Sequence, residues 1–288
     1  MARYLDPKND LVFKNIFGSH PELLKSFLNA ILPLPKDCSI ESLTYLPSDN
    51  VPEIAALKYS IVDVRCLDNH GRHFIVEMQL QWTTDFIKRM LFNTASTYTR
   101  QLEKGEQYKH LSPVYGLALL NDNFDESEEW FHHYRMTNAN NSSKNLEDIQ
   151  LVLIELLKFK PTSVTEKRLV VLWLRFLKEI NDKTETVDPS LLEVDQIKEA
   201  ISLLETSAYN SAQLRLYEQR WDAVSSEKTL IAGKYAEGKA EGKAEGQEEE
   251  RKKIVMSMHR SGLKVEQIGQ IVGLSEDQVK SILELFIC

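Results

Sequence analysis

The stretch YSIVDVRCLDNHGRHFIVEMQLQW, residues 59–82, sets Asp63 in one apolar run and Glu77 and Gln79 in the next. Two such runs joined by DNHGR, with Asn69 and Gly71 as turn formers, read as a β-hairpin. Side chains alternate along a strand, so Asp63, Arg65 and Leu67 share one face of the first run. His73, Ile75, Glu77, Gln79 and Gln81 share a face of the second, opposite to Phe74, Val76, Met78 and Leu80. A hairpin symmetric about His70 puts Leu67 opposite His73, Arg65 opposite Ile75 and Asp63 opposite Glu77. A slip of one residue would send the two acids to opposite faces. In the symmetric register their Cβ atoms lie about 5 Å apart, and like charges facing each other destabilise a sheet. One carboxylate must then take up a proton, or a cation must sit between them. Arg65 is an internal candidate, giving an ion pair that serves the fold alone. A divalent ion is the other: two carboxylates, a backbone carbonyl and waters suit Mg²⁺. Magnesium so held can activate water and steady a phosphodiester through in-line attack.

The flanking segments must hold that hairpin in place. Residues 10–32 read as helix, in one piece or broken at Gly18, with Phe13, Ile16 and Phe17 on one face and Pro21 in a first turn. SIESLTYLP allows a short strand. Thr84 is placed to cap a helix that runs to about Lys104 and stops at Gly105. PVYGLALL, residues 113–120, is a continuous apolar run, as expected of a strand buried on both faces. WFHHYRM and IQLVLIEL read as further strands separated by the polar TNANNSSKNLED, and helices follow from Thr165 onward. The order predicts an α/β domain over residues 1–180, then a helical extension over 181–232.

The segments DPKNDLVFKNIFG, IVDVR, FIVEMQL and TYTRQLEKGEQYKHLSPVYGLALL, in that order, resemble the PD-(D/E)XK nuclease superfamily. More narrowly they resemble its bacterial recombination-promoting nuclease and transposase-like group, the Rpn proteins. The resemblance covers roughly residues 5–180. It implies a restriction-endonuclease-like mixed sheet flanked by helices and a Mg²⁺-dependent DNA endonuclease, with Mn²⁺ able to substitute. By that resemblance Asp63 and Glu77 hold the metal with help from the Met78 carbonyl, and Asp10 takes the place of an additional acid that orients water. The chain departs from the superfamily at Gln79, where the pattern has lysine. Glutamine can hydrogen-bond water but supplies no charge. A relocated cation is then expected: Lys14, one helical turn after Asp10, ranks ahead of Lys88 and Arg89. Asp10 could instead be a helix N-cap, and Lys14 the solvated side of its helix. Tyr98 and Gln101 are expected near the site, in support. His132 and His133 point to opposite sides of a strand and are assigned no function.

The whole chain bounds this reading. It has 288 residues, 42% hydrophobic and 27% charged, with a net charge of −8. The acidic balance counts mildly against nucleic acid without excluding a local basic groove. Cys38, Cys66 and Cys288 form no CxxC pair and fit a reducing cytoplasm, and no run is long enough for a membrane span. The repeat AEGKAEGKAEGQ, within 233–250, reads as a marginal helix or linker because each glycine costs about 1 kcal/mol against alanine. Residues 251–288 suggest a helix–turn–helix-like module, with Ser275 and Gln278 as a capping box. Its second helix opens on Glu276 and Asp277, which would repel phosphate, so homo-oligomerisation through the helical C-terminal region is expected rather than base reading. A second functional reading keeps the nuclease fold but makes it a catalytically weak DNA-binding or assembly protein.

Overall fold

The computed structural model describes residues 3–46, 64–80, 82–161 and 168–284. Asp63 and Gln81 lie outside those residues. The chain divides into two compact units, Met1–Val224 and Ser225–Cys288.

The first unit is built on a six-stranded sheet in the order β1-β2-β3-β4-β6-β5. Strand β1 is Leu43–Tyr45, β2 Val64–Asp68, β3 His73–Gln79, β4 Val114–Leu120, β5 Phe131–Asn138 and β6 Asn141–Glu155. Strands β3, β4 and β6 are parallel; β2 pairs antiparallel to β3, β1 antiparallel to β2, and β5 antiparallel to β6. All seven residues of β4 are buried, as its uninterrupted apolar text requires of a strand covered on both faces. TNANNSSKNLED does not separate two short strands. Its residues continue the β5–β6 pairing almost to the turn, because an antiparallel ladder needs no buried face to extend into solvent.

Helices α1 (Asp10–Ser19), α2 (Pro21–Ile31) and α4 (Arg168–Glu179) cover one face of the sheet. There Phe13, Phe17, Phe27, Trp173 and Phe176 stack against the inward residues Val76, Met78, Leu117 and Ile154. The break between α1 and α2 falls at His20 and not at Gly18, which stays inside α1. Pro21 explains the shift: it disfavours helical backbone in the residue before it, and His20 sits at φ −124°, ψ 88°. The cap of α1 is Asn9, whose side chain accepts from the Leu11 N–H, so Asp10 is the first helical residue and not the cap. Asn9 is fully buried and also donates to the Tyr217 carbonyl at 3.4 Å. Asn9→Ala is expected to lower stability by about 1–2 kcal/mol, measurable by chemical denaturation.

Helix α3 (Phe86–Thr99) covers the opposite face of the sheet, with Phe86 and Met90 against Ile75, Ala118, Leu120 and Leu153. It is shorter than its sequence suggested. Asp85 rather than Thr84 precedes its first turn, and it ends at Arg100, leaving Gly105 in a loop at φ 98°. The unit is completed by α5 (Asp195–Ser202) and the opening turns of α6 (Ser211–Arg260), whose Ile197, Ala200, Ile201 and Tyr217 join the α1/α2/α4 core.

In the second unit, α7 (Val265–Val272) and α8 (Glu276–Glu284) pack with the last turns of α6 around Val255, Ile268, Val279 and Leu283. Gly273 turns the chain in the left-handed region at φ 69°. The capping box forms as expected: Ser275 N–H donates to Gln278 Oε1 at 2.9 Å, and Gln278 N–H to Ser275 Oγ at 3.3 Å. No described helix is long and apolar enough to cross a membrane.

Candidate active site

The β2–β3 hairpin folds in the register its turn suggested, with Leu67 opposite His73 and Arg65 opposite Ile75. Alternation then turns His73, Ile75, Glu77 and Gln79 toward α3. Glu77 is 1% exposed and Gln79 4%. A carboxylate this deep must be met by polar groups, and α3 supplies them. Asn93 Nδ2 donates to Glu77 Oε1 at 3.2 Å, and Arg89 Nη2 donates to Gln79 Oε1 at 3.1 Å. The same guanidinium lies 4.0 Å from Glu77 Oε2. One strand over, the buried Arg65 donates to Thr97 Oγ1 at 2.6 Å. Arg65 is therefore tied to α3. Burial first, and the Arg65 charge second, hold the His73 imidazole below its usual range.

Arg89, Asn93 and Thr97 fall at i, i+4 and i+8, one polar stripe running beside the apolar stripe of Phe86 and Met90. Asn93 and Thr97 were missed in the sequence. The signal that could have found them is this spacing, in the helix immediately after the two carboxylates. Lys88, by contrast, is 83% exposed at its side chain and faces Asp85 at 3.9 Å.

The stripe can reach the sheet because α3 lies unusually close to β4. A Cβ on Gly116 would meet Thr94 Oγ1 at 2.7 Å, Leu151 Cδ2 at 2.8 Å and Met90 Cε at 3.0 Å. Tyr98 and Gln101 brace the far end of α3: Tyr98 Oη donates to Asp148 at 3.0 Å, and Gln101 bonds both backbone groups of Ser112. The Gln79 carbonyl accepts from the Asn121 N–H on the β4 side, so alternation turns the Met78 carbonyl toward the β2 side.

Asp10 and Lys14 stand on α1, in the layer over the other face of the sheet. Asp10 is ion-paired to Arg220. Burial pushes its carboxyl up from the usual range, against the pull of Arg220 and, more weakly, Lys14. Lys14 is exposed, and a Cβ on Gly18 would meet the Lys14 Cγ at 3.2 Å and Val64 Cγ2 at 3.8 Å. It therefore reaches the start of β2 and not the α3 face.

A second charged cluster occupies the α3 face two strands from Gln79, in the row Gln79–Leu120–Glu155. Asp125, His132 and Glu155 bring potential ligand atoms within 4.8 Å of one another. His132 and His133 do point to opposite sides: His132 Nε2 meets Glu155 Oε1 at 2.8 Å, while His133 Nε2 meets Gln150 Oε1 at 2.7 Å. The cluster carries its own cation. Lys158 Nζ sits 2.7 Å from Asp125 Oδ1 and 2.9 Å from Glu155 Oε1, and the Phe124 N–H fills Glu155 Oε2 at 2.9 Å. A metal would have to evict that ammonium, so the donor set fits an internal ion pair better than a metal site. The hydrogen bond from Lys158, then that from Ser127, pull the Asp125 carboxyl from 3.8 down to about 2. A carboxyl depressed in the folded state stabilises above its unfolded value and loses that contribution as pH falls through the folded one. The Asp125–Lys158 bridge is thus expected to hold at pH 4 and release as pH falls toward 2. Carboxyl-carbon NMR of Asp125 checks this, since a midpoint near the ordinary value would mean the bridge is absent in solution.

A mixed sheet with α1, α2 and α4 on one face and α3 on the other, carrying buried Glu77 and Gln79 near the end of a central strand, defines a PD-(D/E)XK nuclease fold. The family model of the PD-(D/E)XK nuclease family transposases matches residues 7–234, and the chain belongs to that family. Comparisons with curated proteins and with solved structures gave no match.

Proposed function

We propose that this chain is a divalent-metal-dependent DNA endonuclease, hydrolysing phosphodiester bonds in recombination or mobile-element biology. The observation that carries the reading is the buried Glu77, held by Asn93 on the α3 face with Gln79 two residues on and Arg89 above both. The donors on offer there are oxygens: the Glu77 carboxylate, the Gln79 amide oxygen and, on the β2 side, the Met78 carbonyl. Such a set fits Mg²⁺ or Mn²⁺ and not a thiophilic ion. Asp63 directly precedes Val64, the first described residue of β2. Asp63 and Glu77, with the Met78 carbonyl, would hold the ion, which supplies Lewis-acid stabilisation of the phosphodiester when bound. Asn93 fixes the rotamer of Glu77. Gln79 orients the attacking water by hydrogen bonding through its amide. In the reaction a water oxygen forms a new bond to phosphorus, the bond from phosphorus to the leaving oxygen breaks, and that oxygen ends protonated. Asp10 and Lys14 would act from α1, in the layer across the sheet from Glu77.

The test is cleavage of supercoiled plasmid by the purified full chain with Mg²⁺, and with the ion chelated. The expected result is nicking or cutting that needs the ion and that Asp63→Ala removes while the circular dichroism spectrum stays native. Equal cleavage by the variant would refute the assignment.

A further inference from the structure

We propose that Arg89 is the cation this chain uses where the superfamily pattern has lysine, and that it changes partners. Its guanidinium neutralises Glu77 before a divalent ion is bound, and engages the scissile phosphate once the ion has taken that carboxylate. The proposal rests on the nuclease reading above and adds a residue and a competition to it.

Geometry singles Arg89 out among the nearby cations. It bonds Gln79, the residue that stands at the lysine position, at 3.1 Å, and approaches Glu77 to 4.0 Å without a hydrogen bond to it. Its side chain is 17% exposed, and its Nε is buried with no hydrogen-bond partner among the described residues. A guanidinium has five donor hydrogens in a planar fork that matches phosphate oxygens two at a time. Here one is bonded to Gln79 and the others keep capacity for an anion. The plane rests over the Phe86 ring at 5.1 Å, which orients the charge without consuming donors. The other cations are placed for other tasks. Arg65 is tied to Thr97 at 2.6 Å, Lys88 faces solvent, and Lys14 stands across the sheet. Sequence order alone favoured Lys14, because helical spacing shows proximity to Asp10 but not which face of the sheet a helix covers.

Two positive charges sharing one carboxylate oppose each other's binding, and that coupling is reciprocal. Removing Arg89 should therefore move metal affinity and catalysis in opposite directions, which a merely structural residue would not do. The experiment compares wild type, Arg89→Gln, Arg89→Lys and Glu77→Gln as full chains, by Mn²⁺ calorimetry and by plasmid cleavage at saturating Mg²⁺. For Arg89→Gln, cleavage is expected to fall about 100-fold or more, while Mn²⁺ binds several-fold tighter. Arg89→Lys, which keeps the charge and most of the packing, is expected to retain near wild-type Mn²⁺ affinity and a measurable share of cleavage. It carries the comparison if the glutamine variant fails to fold. Undiminished cleavage by Arg89→Gln, or metal affinity that falls in step with its cleavage, overturns the proposal. If wild type cuts and Glu77→Gln does not, those results sink this proposal alone. If wild type neither cuts nor binds Mn²⁺ differently from Glu77→Gln, the nuclease reading falls and takes this one with it.

Discussion

Glu77→Gln should reduce metal-dependent cleavage by more than about 1,000-fold and should cost the metal-free protein little stability. The first expectation follows from charge: an amide of the same shape keeps a donor and an acceptor but no longer attracts a divalent cation. The second follows from position. Glu77 is 1% exposed, and its ion pair with Arg89 is long, at 4.0 Å. Burying a carboxylate costs several kcal/mol, which an ion pair of that length offsets only in part. Replacing it with a neutral isostere removes that cost, and the Arg89 left behind is 17% exposed at its side chain and keeps its bond to Gln79, so its charge is still met by water and an amide oxygen. Asn93 can still donate to the remaining carbonyl oxygen. The clearest measurement is thermal unfolding with and without Mn²⁺. An ion present at 100 times its dissociation constant stabilises the native state by about 2.7 kcal/mol, so wild type should melt higher with the ion. Glu77→Gln should show no such shift. A variant that still gains stability from Mn²⁺ would place the ion elsewhere.

Gly116→Val should destabilise the first unit by about 3 kcal/mol and impair the site without touching it. No Cβ fits at this position, because Thr94 Oγ1 and Leu151 Cδ2 already lie within 2.8 Å of where it would be. Thr94 cannot easily turn aside, since its hydroxyl donates to the Met90 carbonyl at 2.7 Å. The strain is relieved only by lifting α3 from β4, and α3 carries Arg89, Asn93 and Thr97. Metal affinity should therefore fall with stability, in contrast to the opposite movement expected of Arg89→Gln. Denaturant unfolding alongside Mn²⁺ calorimetry separates the two. A valine variant of wild-type stability would show that α3 does not press on β4 as described.

Much of this was legible in the text of the chain. The hairpin register was, because turn residues and two-residue alternation leave few choices, and the described pairs Leu67–His73 and Arg65–Ile75 agree with it. The buried character of β4 was too, because seven consecutive apolar residues satisfy only a strand covered on both sides. What periodicity could not supply was which helix meets which face. It showed that Asp10 and Lys14 share a side of α1, and could not show that α1 lies across the sheet from Glu77 or that Arg220, 210 residues away, claims Asp10. Nor could it reveal that Lys158 already fills the centre of the Asp125–His132–Glu155 group, a convergence of two strand ends and a loop. Site residues on neighbouring elements were readable, and those joined by long-range packing were not.

The clasp between the two ends of the first unit bears on how the protein is made. Asp6 N–H donates to the Tyr217 hydroxyl, Asn9 to the Tyr217 carbonyl, and Asp10 pairs with Arg220. During translation, the opening segment leaves the ribosome long before its partners exist. The Asp10 carboxylate stays without its Arg220 partner until residue 220 has emerged, so this nuclease fold closes late, when nearly all of the first unit is already outside the tunnel.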